Sequence, residues 1–168
     1  MNFEKAVLEV IKVEGGYVDH PNDRGGATNY GITMEVLRDH LGKDITKDDV
    51  RNMNIHTAKE IYKKEYWDRL RLDFVMDKRV SQVIFDQAVN RGVIRVARQV
   101  QRIVKVKEDG IIGPISLGAI NKYDPIQFII DFFKVSQISY LNIVRNNPSQ
   151  IVFLNGWINR THKMLDAI

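Results

Sequence analysis

The chain contains no cysteine. That excludes a disulfide-stapled scaffold, a Cys-based zinc site and a cysteine nucleophile. Histidine is scarce too. The four lie at His20, His40, His56 and His162, and none forms an HExxH-type pair, so no metal site is expected. No run approaches the ~18 apolar residues of a membrane span. The most apolar stretch, 126–133, is broken by Gln127 and Asp131, so no membrane insertion is expected. The opening Met1-Asn2-Phe3-Glu4-Lys5 carries charge at once, and no A-x-A-like cleavage site follows. The expectation is synthesis in the cytoplasm without a secretory signal. Strand-like alternation is nearly absent, and there is no internal repeat or low-complexity segment.

What is present is an ordinary globular composition: 168 residues, 44% hydrophobic and 27% charged. That length suits one domain, or one domain with a small appended lobe. The formal net charge of +4 favours a polyanion such as nucleic acid, an anionic membrane or an acidic wall polymer. The same charge also suits a plain solvated surface.

Helical spacing dominates, so the expected fold class is mainly α with about eight helices. Residues 2–14 read as a first helix closed by Gly15-Gly16. Thr33 can cap a short helix ending at Gly42, and Thr46 with Asp49 can cap another near 47–53. Thr57-x-x-Glu60 suits a capping box for a helix through Trp67. Helices over 78–91 and 93–105 follow. Pro114 suits the first position of a short helix. Asp124-Pro125 opens a long helix to about Arg145, and Pro148 restarts the chain into a last one. Residues 17–32 stand apart, dense in Gly, Pro, Asn and Asp, and read as a loop or short irregular hairpin.

Phe3, Val7, Val10 and Glu14 share one face of the first helix. Three are apolar, and the fourth is a carboxyl at the helix C-terminus. Partial burial and the negative end of the helix dipole both favour its protonated form, as a general acid requires. The pattern alone also suits a glutamate at the stripe's edge that reaches solvent or pairs with a base.

The loop that follows supplies partners for such an acid. Asp19 and Asp23 are candidate second carboxylates, Thr28 and Asn29 can hold a water or a sugar hydroxyl, and Tyr17 and Tyr30 offer faces for sugar rings. Glycosidases of the usual kind need one protonated and one ionised carboxyl across the scissile bond. Asp23, in a polar glycine-rich loop, suits the ionised role while Glu14 suits the other.

Glu14-Gly15-Gly16-Tyr17 and Asp23-x-Gly25-Gly26-x-Thr28-x-x-Gly31-Ile32-Thr33 resemble the signature of the glycoside hydrolase family 108 muramidases. These are lysozyme-like enzymes found as phage endolysins and in bacterial genomes, some described as secretion activators. The order Glu14, Asp23, Thr28 is also similar to the catalytic triad of phage-type lysozymes, with one residue fewer between Asp and Thr. Tyr66-Trp67 and the run 85–92 resemble later blocks of the family. Within that run, Asp86 and Asn90 sit at i, i+4 on one helix face. They are candidates to line a substrate cleft, or a plain surface pair, and Asp86 is the reserve second carboxylate. Trp67 suits the core better than a sugar platform.

Asp109-Gly110-x-x-Gly113-Pro114-x-Ser116 resembles a turn of peptidoglycan-binding helical modules, with Ser in place of Thr. Read physically, it is a turn followed by a helix start. Phe128, Phe132 and Phe133 follow helical spacing and suit the core. The stretch 153–160 resembles the family's tail and suits a docking helix. The basic residues at 91, 95, 98, 102, 105 and 107 could attract an anionic wall polymer or form a solvated face.

The resemblance implies a lysozyme-like helical fold, with residues 1–92 as the catalytic region and 93–168 as a helical region resembling a peptidoglycan-binding module. It implies an N-acetylmuramidase, with Glu14, Asp23 and Thr28 as catalytic residues. Tyr17, Asn29, Tyr30, Asp86 and Asn90 are the implied sugar contacts, and neither cofactor nor metal is implied. The implied partner is the peptidoglycan glycan strand, reached in the periplasm or cell wall through a holin or another export route. A lytic transglycosylase and a non-catalytic wall-binding protein are the competing expectations. A nucleic-acid binder would have no use for the acidic loop, so no nucleic-acid partner is expected.

Overall fold

The helix predicted at the N-terminus forms as α1 (Phe3–Glu14), with Ala6, Val7, Val10 and Ile11 buried. The computed structural model describes residues 3–19, 26–42, 44–163 and 165–167. Among these, the regular structure is nine α-helices, short π and 3-10 turns and one small antiparallel sheet, so the chain is mainly α. By packing it divides into two units, Met1–Asp68 and Arg69–Ile168. That division falls earlier than the motif-based boundary after residue 92, because α5 (Lys78–Arg91) packs on the helices that follow it.

In the first unit, α1 stops at Gly15, whose φ of +80° an L side chain rarely adopts. The chain then pairs backbone to backbone. Val18 and Thr28 exchange N–H···O bonds of 2.8 Å each. Thr28 opens β1 (Thr28–Asn29), which pairs with β2 (Ile32–Thr33) in the register Thr28 opposite Thr33 and Asn29 opposite Ile32. Thr33 then caps α2 (Met34–Leu41) by accepting from the Val36 N–H, and Gly42 ends that helix at φ +66°. Thr46 and Asp49 form the capping box of α3 (Lys47–Arg51).

The next helix corrects the expected start. Asn54, not Thr57, is the cap of α4 (Ile55–Tyr62), and its side chain accepts from the Thr57 N–H. Asn is as good a cap as Thr and lies one turn earlier. Beyond Tyr62 the helix widens into a π-helical turn, Lys63–Asp68. The reason is visible in the sequence spacing. Tyr62 and Trp67 are both buried, at 1% and 2% exposure, yet they are five residues apart. An α-helix would rotate Trp67 off that face, and the wider turn restores it. Trp67 is core, as its sequence context suggested, and meets the Phe3 ring edge-on at 5.4 Å.

In the second unit, Asp77 caps α5 through the Arg79 and Val80 N–H groups. Gly92 leads into α6 (Val93–Ile103). Pro114 starts α7 (Pro114–Lys122), and Asp124 caps the 22-residue α8 (Pro125–Asn146). A 3-10 turn, Pro148–Gln150, precedes α9 (Ile151–His162). Phe128 and Phe132 are buried, whereas Phe133 is half-buried and stacks on His162. Arg91 leaves the supposed basic face. Its guanidinium donates to Gln99 Oε1 (2.7 Å), Ser136 Oγ (3.1 Å) and Ser139 Oγ (3.1 Å), and lies over the Tyr140 ring. Burial lowers its pKa from the ordinary arginine value. Arg95, Arg98, Arg102, Lys105 and Lys107 remain exposed.

Candidate active site

Glu14 is the last residue of α1 and is half-buried. The Gly31 turn lies against its stem. The two-residue loop of the hairpin is Tyr30-Gly31, with φ of +52° and +76°. Two left-handed residues in succession make the tight turn whose twist matches a right-handed strand pair. A Cβ placed on Gly31 would lie 3.0 Å from both Cβ and Cγ of Glu14 and 2.7 Å from the Tyr62 hydroxyl oxygen. Glycine is therefore required twice at this position, for its φ and for the space. The bare turn seats the aliphatic stem of Glu14.

The turn is itself held from below. The Tyr62 hydroxyl donates to the Tyr30 carbonyl at 2.8 Å. Tyr62 went unremarked in the sequence. Its one signal there was the five-residue interval to Trp67, which breaks helical periodicity. Asn29 is buried, and its side-chain amide donates to the Val50 and Arg51 carbonyls at 3.0 and 3.1 Å. It thereby joins β1 to carbonyls at the C-terminal end of α3.

The other loop residues lie alongside. Thr28 is half-buried, and its backbone is committed to Val18. Tyr30 is half-buried at the turn. Tyr17 is half-buried, with the Arg51 guanidinium 4.8 Å from its ring centroid. Asp19, weighed as a second carboxylate, forms an ion pair with Lys47 at 3.0 Å. Asp23 lies outside the described residues. The structure thus gathers Glu14, Tyr17, Thr28, Asn29 and Tyr30 around one hairpin and one helix end.

Asp86 and Asn90 belong to the second unit. Asp86 pairs with Arg160 at 3.1 Å, and Asn90 is exposed on the next turn of α5. The Asp109–Ser116 turn is organised from within. Buried Gln101 accepts from the Gly110 N–H and donates to Asp109 Oδ1, the Ile111 carbonyl and Ser116 Oγ. The Gln101 hydrogen bond, with a further one from the Ile111 N–H, holds the Asp109 carboxyl below the usual aspartate range.

Comparison with known proteins places this arrangement. The model of glycosyl hydrolase family 108 matches residues 7–92, which include Glu14 and the hairpin. A predicted peptidoglycan domain matches residues 95–162. A search of curated protein sequences found no match. Among solved structures, SagA from Brucella abortus is similar at 31% identity and a TM-score of 0.84, over 98% of this chain and 91% of that one. The match spans the whole lysozyme-like helical architecture, and the family model covers the Glu14 hairpin. The chain therefore belongs to glycosyl hydrolase family 108, as a peptidoglycan-directed glycoside hydrolase whose C-terminal part is a predicted peptidoglycan domain.

Proposed function

We propose that the chain is an N-acetylmuramidase that hydrolyses the β-1,4 bond between N-acetylmuramic acid and N-acetylglucosamine. The observation that carries this reading is Glu14, half-buried at the C-terminal end of α1 with its stem seated on a bare glycine turn. In the proposed reaction Glu14 gives its proton to the glycosidic oxygen as the bond to the muramyl C1 breaks. Water adds to C1, and Asp23 takes the water's proton or stabilises the positive charge that develops on the ring. Thr28 orients that water. Tyr17 and Tyr30 supply faces for sugar rings, and Asn29 fixes the strand that carries its neighbours. Asp86 and Asn90 are further glycan contacts on α5. Functionally, residues 1–92 act as the catalytic region and 93–168 as the wall-binding one. Action at the cell wall requires an export route, for which a holin would serve.

The test is digestion of purified peptidoglycan with analysis of the new ends. Reducing N-acetylmuramic acid ends, lost in Glu14→Gln protein, support the reading. Anhydro-muramyl ends would replace it with a lytic transglycosylase. Undiminished lysis by Glu14→Gln protein would sink it.

A further inference from the structure

Tyr30 occupies a position that suits Asn, Asp or Gly. Its φ of +52° lies in the left-handed region, where a bulky side chain is disfavoured. The turn it belongs to is also crowded. The Glu14 stem and the Tyr62 hydroxyl both come within van der Waals reach of the single point where a Gly31 side chain would begin. A side chain from the core reaches the Tyr30 backbone: the Tyr62 hydroxyl donates to its carbonyl at 2.8 Å. Tyr62 is itself buried, 1% exposed at the end of α4, and its ring lies 5.5 Å from that of Tyr66. The π-helical turn directly after it keeps both Tyr62 and Trp67 on the interior face.

We infer that Tyr62 is a positioning residue for the catalytic acid. It makes no claim on the substrate. Its hydroxyl holds the Tyr30 carbonyl, the carbonyl fixes a turn of otherwise unfavourable conformation, and the turn fixes the Cβ–Cγ stem of Glu14. A carboxyl at a helix end has several rotamers open to it, and a bare backbone turn against its stem removes most of them. A misplacement of one ångström at such a group costs up to about 10²-fold in rate. The inference rests on Glu14 being the general acid, and the experiment separates the two.

Tyr62→Phe keeps the ring and removes only the hydroxyl. On a soluble glycan fragment of peptidoglycan, kcat is expected to fall about 10- to 100-fold. KM is expected to stay within about twofold, the pattern of an interaction that matters only in the transition state. Gly31→Ala pushes on the same stem and should lower kcat similarly. The double variant should lose far less than the product of the two, because both act through one turn. Far-UV circular dichroism and thermal melting establish that Tyr62→Phe protein is folded. Wild-type kcat in folded Tyr62→Phe protein, or a loss confined to KM, overturns the inference. Glu14→Gln runs alongside. If it is inactive while Tyr62→Phe is unimpaired, positioning alone fails. If Glu14→Gln retains activity, the general-acid reading fails and the positioning inference falls with it.

Discussion

Two glycine turns in this protein start from similar residues and end differently. Gly31 and Gly110 both sit at left-handed φ, +76° and +83°. A Cβ would crowd its neighbours at both, Glu14 and Tyr62 at Gly31 and, at 3.0 Å, Ile94 Cγ2 at Gly110. At Asp109-Gly110 one buried amide, that of Gln101, serves four groups of the turn, and the Ile111 N–H adds a bond to Asp109 Oδ1. At Tyr30-Gly31 the core supplies one hydroxyl from beneath, and half-exposed side chains stand around a half-buried carboxyl. The first turn spends its polar groups on folding. Around the second, Glu14, Thr28 and Tyr30 are only half-buried, while Asn29 turns inward to the Val50 and Arg51 carbonyls. A Gly- and Asp-rich motif is therefore not a site by composition. The direction in which its polar groups are used decides.

The sharpest way to break this comparison is at Glu14. Replacement by Gln should lower peptidoglycan cleavage about 10³-fold, the scale of a lost general acid, with an unchanged melting curve. Asp23→Ala should follow at about 10²-fold, measured as release of reducing ends. Gln101→Ala should do the reverse. It strips the Asp109 turn of its organiser and should cost about 2–3 kcal/mol in urea denaturation, with kcat on a short glycan unaltered. A larger effect on kcat than on stability would show that the two turns are not as different as the structure indicates.

The smallest effect is expected at Asp77, away from both turns. A side-chain hydrogen bond from Arg79, with backbone bonds from Arg79 and Val80, holds its carboxyl below the usual aspartate range despite partial burial. A carboxyl lowered by folding stabilises the fold above its unfolded pKa, and that contribution is lost as the pH falls through the folded one. Asp77→Ala should cost about 1 kcal/mol at neutral pH, as a lost helix cap. The gap to wild type should close as the pH is taken below the carboxylate range, and paired urea titrations measure it.

Much of this was legible in the residue order. Gly15 and Gly42 stop their helices where the sequence places them, and Thr33, Thr46 and Asp124 cap where expected. These are contacts between residues a few positions apart, which local chemistry dictates. The Thr57 cap gave way to Asn54 because two good capping residues lie within one turn and only packing chooses between them. Arg91 read as one of a basic run, yet its guanidinium meets side chains on α6 and α8. Neither choice leaves a trace in nearby residues.

The same line divides the site. Local order determined that a carboxyl ends a largely apolar helix stripe and that a glycine-rich hairpin follows, because helix phase and backbone φ preferences act over a handful of residues. Only the folded chain decided that Gly31 lies on the Glu14 stem and that Tyr62, 32 residues from Tyr30, holds the turn in place. Such contacts depend on how α1, the hairpin and α4 meet, and that is set by the shared burial of side chains far apart in sequence.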